Sequence, residues 1–395
     1  MVNNAIFGLL FFFLLNLIPG ILGQLPETTY FIKIPIILLL ILNLLFNKIK
    51  WNKTNLLYLA SVGLIILLFI SHSFFYDKQI IVGVINNSIF IFISASMVLF
   101  FEADPNKLVV AKKIILIYTL VFSVSYFISY TSILLGSSLG TTDIYLPMGK
   151  DKFYRLTIMY PFSTFYQWNL PSHLIFGYFP RATGFVREPG IFQVVIIFSY
   201  FITLEIVKKK ITRNILLLVL LITLLLTFST AGYLGILATM FIYYLFNIKY
   251  KRKLVIIFVV ISIGISFAFF YQTENIFGLQ EKLDSGSGLT RIFAIEQSIY
   301  FLKKYPIWGI GMYSSKAELL TIGVNFLGVL AQIGLIGLVI TLFPFVYIIK
   351  INFKNKINIV YLTPILLTFL FAQPLHDKPL TYLVLGMLIV KNKFK

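Results

Sequence analysis

Apolar residues in this chain come in long blocks, and the polar positions gather between them in short clusters. The blocks are about 20 residues long, the length that crosses a hydrocarbon layer of about 30 Å as a helix. They predict helical spans at about 4–23, 30–46, 55–75, 79–101, 114–135, 189–207, 213–230, 231–247, 254–271, 322–349, 357–373 and 379–390. The apolar stretch from Ile211 to Phe246 is long enough for two short helices, with Ser229-Thr230-Ala231-Gly232 as the turn between them. No repeat or low-complexity segment divides the chain, so residues 1–395 form one integral membrane domain. The first block ends at Pro19-Gly20 without an Ala-x-Ala-like cleavage site and reads as a retained span.

The connections alternate in charge. Lys48, Lys50 and Lys53; Lys107, Lys112 and Lys113; Lys208, Lys209, Lys210 and Arg213; Lys249, Lys251, Arg252 and Lys253; Lys350, Lys354 and Lys356; and Lys391, Lys393 and Lys395 fall on every second short segment. These are 20 of the 33 basic residues. Short loops rich in Lys and Arg stay in the cytoplasm. About 12 spans with the N-terminus inside satisfy the rule throughout and put both termini in the cytoplasm. Two connections are too long for this scheme, at about 136–188 and 272–321, and both fall outside.

Composition sharpens the class. The chain is 59% hydrophobic and 12% charged, where soluble domains run near 45–50% and about 25%. Its main solvent is lipid. The net charge of +19 follows from the positive-inside bias and implies no nucleic-acid partner. With no cysteine and three scattered histidines, disulfides and thiolate metal sites are excluded, and no metal or other cofactor is expected.

The spans are almost free of ionisable residues, which counts against ion-coupled transport. Chemistry is therefore expected in the two outer segments. The first holds Tyr145, Phe153, Tyr154, Tyr160, Phe162, Phe165, Tyr166 and Trp168, rings suited to the headgroup level or to stacking on sugars. It ends in "RATGFVREPG", where Arg181 and Arg187 lie six residues apart, Gly184 permits a tight turn, and Pro189 suits the first turn of a helix. Glu188 stands at that helix N-terminus, where the dipole favours an anion. The plain reading is a capping carboxylate with two snorkelling arginines. The chemical reading is a guanidinium pair aimed at phosphate, which arginine binds bidentately, beside a carboxylate poised as a base.

In the second outer segment a Gly/Ser turn precedes Arg291, which opens an amphipathic helix running to about Lys304. Pro306, Gly309 and Gly311 then make a tight turn. Lys303, Lys304 and Tyr313 are further candidate substrate contacts. His173 reads as an ordinary loop residue, and His376-Asp377 in the last outer loop as structural.

Arg181-x-x-Gly184-x-x-x-Glu188-Pro189, Arg291 with Tyr305-Pro306-Ile307-Trp308-Gly309-Ile310-Gly311, and "NFLGVLAQIGLIGLVI" from Asn325 together resemble the O-antigen polymerase (Wzy) and O-antigen ligase superfamily. The resemblance implies an all-α, GT-C-like glycosyltransferase of the bacterial plasma membrane. Such an enzyme joins undecaprenyl-pyrophosphate-linked oligosaccharides at the outer face, with membrane lipid and a chain-length regulator protein as partners. It also implies that the loop arginines bind pyrophosphate and that no metal is needed. Ligases of the superfamily carry a His before the residue matching Asn325, and here that residue is Val324. The polymerase reading gains from that departure. Glu188, Arg187 and Arg291 are then the expected catalytic residues, and Arg181, Lys303, Lys304 and Tyr313 the substrate contacts. A ligase, a lipid-linked oligosaccharide flippase and a non-catalytic scaffold are the rival readings.

Overall fold

The computed structural model describes residues 2–16, 26–47, 49–76, 81–135, 141–147, 153–159, 163–166, 181–182, 184, 189–227, 229–247, 286–311, 325–352, 356–371 and 375–390. Twelve helices occur among the described residues: α1 (Val2–Leu15), α2 (Pro26–Phe46), α3 (Lys53–Tyr76), α4 (Ile81–Ala103), α5 (Pro105–Leu134), α6 (Pro189–Ile206), α7 (Lys210–Leu226), α8 (Thr230–Asn247), α9 (Gly286–Lys304), α10 (Asn325–Asn352), α11 (Lys356–Phe371) and α12 (Pro379–Ile389). Eleven coincide with expected spans, and α9 matches the helix expected to run to Lys304 but starts at Gly286, so the expected Gly/Ser turn is its first turn and Arg291 does not open it. The span expected at about 254–271 lies outside the described residues.

Among the described residues, four helices are long and apolar enough to cross a membrane: Lys53–Phe75, Ile81–Ala103, Pro105–Ser132 and Phe326–Asn352. Other apolar helices are shorter. Helix α12 has only 11 residues, about 16 Å of helix. Every one of those residues is buried, and α12 packs along α4 at the centre of the bundle. Its N-terminus starts at Pro379, a residue pre-set for the first helical turn. At its other end the Asn352 and Asn358 amides both donate to the Leu388 carbonyl, at 2.8 and 3.0 Å. Two side chains thus do for α12 what water would do at an exposed end.

Helix α5 begins nine residues before the expected span, and this corrects the reading of its basic cluster as a solvent-facing loop. Lys107 and Lys112 are buried inside the bundle. Lys107 donates to Asn47 Oδ1 and sits over the Phe100 and Phe7 rings, at 5.3 and 5.5 Å. Lys112 pairs with Glu205 of α6 at 2.7 Å, and Tyr361 of α11 donates to the same carboxylate at 2.6 Å. The two lysines can be buried here because Lys112 finds a carboxylate on α6 and Lys107 an amide oxygen just beyond α2.

The first long connection is not a plain loop, so the described residues are not all-α. Four strands, β1 (Thr141–Pro147), β2 (Phe153–Met159), β3 (Ser163–Tyr166) and β4 (Arg181–Ala182), form an antiparallel sheet in the order β1-β2-β3-β4. Tyr145 faces Arg155 across the first pair, and Tyr166 faces Arg181 across the last. The signal was present in "FYRLTIM", a run of aromatic and β-branched residues set off from β1 by a segment containing Gly149. Strand β3 lies against α5, and β4 against α6 and α7.

Candidate functional site

Helix α6 takes its position from a glycine ahead of it. Gly184 has φ +59°, and a Cβ built there would lie 2.2 Å from Cε2 of Phe192. A side chain is thus excluded twice, by backbone conformation and by the ring. Phe192 and Gly184 are both buried, so the turn expected at Gly184 is clamped onto the first turns of α6. Arg181 lies in β4, three residues ahead of that turn. Arg187 and Glu188 lie outside the described residues, and Pro189 begins the helix as expected.

Sequence reasoning missed Gln193, one turn into α6. It is fully buried, and among the described residues neither its Oε1 nor its Nε2 has a hydrogen-bond partner. Its amide is pressed against the start of α8, since a Cβ on Gly232 would lie 2.3 Å from Oε1. The starts of α6 and α8 therefore meet around a polar amide.

Arg291 lies in the second turn of α9. Ala294 and Ser298 form the buried face of this helix, small residues that allow close approach to α10. Lys303 and Lys304 end it and are exposed, with Lys304 Nζ 5.5 Å from the Tyr305 ring centre. Lys303 is twelve residues from Arg291 along one helix, about 18 Å. Their backbone positions are therefore too far apart along the helix to form one cluster around Arg291. Tyr313 and His173 lie outside the described residues.

The turn after α9 is joined to α10 by backbone. Helix α10 is broken at Gly334, with φ 64° and ψ −174°. Across the break, Ile310 and Gly311 N–H donate to the Ala331 and Gln332 carbonyls, both at 3.0 Å. Leu335 and Ile336 N–H donate to the Pro306 and Ile307 carbonyls, at 2.9 and 3.3 Å. The two motifs read separately in the sequence, Tyr305–Gly311 and the segment from Asn325, are thus one structural unit.

His376 has a structural setting. It is buried, lies edge-on to Phe69 and Phe369, and its carbonyl accepts from the Tyr382 hydroxyl. Burial pushes its imidazole down to about 4, so it is neutral at physiological pH. The adjacent Asp377 pairs with Lys378 at 3.1 Å, and its carbonyl accepts from Asn87 at 3.0 Å.

Residues 215–342 match a family model described as O-antigen ligase. The match spans α8, α9, Arg291, the Tyr305–Gly311 turn and the break at Gly334, and it stops short of the Arg181–Pro189 segment. It agrees with the motif resemblance to the O-antigen polymerase and ligase superfamily. No curated protein matches the chain.

Proposed function

Taking this match to a family of membrane-embedded polysaccharide assembly as the premise, we propose that the protein is a polysaccharide polymerase. Its donor is a glycan on undecaprenyl pyrophosphate, and its acceptor is a lipid-linked repeat unit at the outer face of the bacterial plasma membrane. The observation that carries the reading is the family match across the Arg291-bearing helix and its glycine turn. The proposal includes about 12 crossings of GT-C-like arrangement, both termini in the cytoplasm and a chain-length regulator as partner.

In the proposed step an acceptor hydroxyl oxygen forms a bond to the anomeric carbon of the donor sugar. The bond from that carbon to pyrophosphate oxygen breaks, and the lipid pyrophosphate leaves with both bonding electrons. Arg187 and Arg291 stabilise the charge that grows on the leaving group. Glu188, kept ionised by its arginine neighbours and the start of α6, takes the hydroxyl proton. Arg181 and Tyr313 contact the pyrophosphate or its first sugar. Lys303 and Lys304, about 18 Å along α9 from Arg291, reach a more distant part of the glycan or a lipid headgroup.

The family description is equally compatible with a second reading, a ligase moving a finished chain to another acceptor. Val324 stands where such ligases carry histidine, which favours the polymerase. The test is product length from purified protein given only lipid-linked repeat units. A ladder of multiple repeats is expected. Arg187→Lys, Arg291→Lys and Glu188→Gln should each collapse it to single units at normal protein abundance, with Glu188→Gln slowed by about 10²–10⁴. Long polymer from all three variants would remove this mechanism, and no ladder here but transfer once a finished lipid-linked chain and a second acceptor are added would make the protein a ligase.

A further inference from the structure

The break in α10 and the turn after α9 contain an exchange of hydrogen bonds. In an unbroken helix Leu335 N–H would donate to the Ala331 carbonyl and Ile336 N–H to the Gln332 carbonyl. Here Gly334 adopts a conformation open only to glycine, and all four groups are released. The Pro306 and Ile307 carbonyls take the two N–H groups, and the Ile310 and Gly311 N–H groups take the two carbonyls. Each of these four groups is paired again. That is the condition on which non-helical backbone is tolerated at membrane depth.

The exchange needs both glycines. A Cβ on Gly334 would lie 2.2 Å from the Ile307 carbonyl oxygen, and one on Gly309 would lie 2.3 Å from the Gln332 carbonyl oxygen. Both clashes are with backbone, which a rotamer change cannot relieve. Beside them Ile310 and Ala331 are buried together with Phe301 of α9 packed on them. The end of α9 is thereby tied to α10 through main chain and side chain at once.

We propose that this backbone clasp sets the position of α9, and with it Arg291, for the reaction. Gly334 and Gly309 are positioning residues of the transfer site, acting through Arg291 without touching substrate. The proposal rests on the reading of Arg291 as the pyrophosphate contact.

The chain has no cysteine, so a single engineered pair reports on the clasp unambiguously. Purified full-length Ile310→Cys/Ala331→Cys protein in lipid vesicles should form an intramolecular disulfide under mild oxidation and keep its rate of polymerisation within about two-fold. Adding Gly334→Ala should slow disulfide formation and lower the turnover of the reduced protein by ten-fold or more. Oxidation of that triple variant should restore part of the rate, a response that a globally misfolded protein would not show. Absence of the disulfide in the Gly334 background, or loss of activity on locking it, overturns a clasp that stays closed during the reaction. Full activity of Gly334→Ala, or loss without recovery on oxidation, overturns the positioning role. Full activity of Arg291→Lys beside an impaired Gly334→Ala would instead refute the pyrophosphate reading of Arg291, with the disulfide result still reporting the clasp.

Discussion

Gly184→Ala perturbs the Arg181–Pro189 segment without touching any of its charges. Two costs are separable. Holding an alanine at the observed φ of +59° costs about 1–2 kcal/mol. The new methyl would also lie 2.2–2.4 Å from three carbons of the Phe192 ring, well inside contact distance. Forcing it in adds roughly 1–3 kcal/mol as an overpacked site. The expected loss is therefore about 2–5 kcal/mol, large against a stability of typically 5–15 kcal/mol. Phe192→Leu makes room for the methyl but leaves the backbone conformation as it was. In a double-mutant cycle, Gly184→Ala with Phe192→Leu should thus recover the steric part, with a coupling of about 1–3 kcal/mol. Thermal melting of the detergent-solubilised protein, followed by gel-filtration fluorescence, measures stability, and the polysaccharide ladder from cells measures function. Because Arg187 and Glu188 lie between this turn and α6, the ladder should shorten even at growth temperatures where the protein remains abundant. Wild-type melting and a wild-type ladder for Gly184→Ala would refute the reasoning, and strictly additive effects would refute the Phe192 clash.

The Lys112–Glu205 pair near the other end of α6, buried only on its lysine side, makes a separate prediction. Lys112→Met removes the lysine partner of the Glu205 carboxylate, which keeps its bond from Tyr361, and should cost about 1–2 kcal/mol, below the roughly 3–5 kcal/mol of a fully buried pair because the Glu205 side chain keeps 31% exposure. Lys112→Met/Glu205→Leu should regain most of it, and a double variant no more stable than the single would show that the pair contributes little. Topology is checked with cysteines introduced into the cysteine-free chain. Lys150→Cys should react with an impermeant thiol reagent in intact cells and Asn52→Cys should not, whereas the reverse pattern would invert the proposed orientation.

Most of the helices were legible because lipid leaves the backbone no choice. A run of about 20 apolar residues in hydrocarbon must satisfy its hydrogen bonds within itself, so length and hydropathy alone predict a helix. The candidate charges were legible for a related reason: in a chain with 12% charged residues, an arginine beside a glycine turn stands out. Helix limits depended on partners. Helix α5 extends back to Pro105 because Lys107 finds Asn47 and two phenylalanine rings, and Lys112 finds Glu205, all outside α5. Strands β1 to β4 required neighbours to accept their hydrogen bonds, and a sequence of alternating residues cannot name its neighbour. Gly334 by itself reads as a small residue within an apolar helix. Only the tertiary structure brings residues 306–311 against it, because the released N–H and carbonyl groups of a broken helix are stable in an apolar interior only where another segment pairs with every one of them.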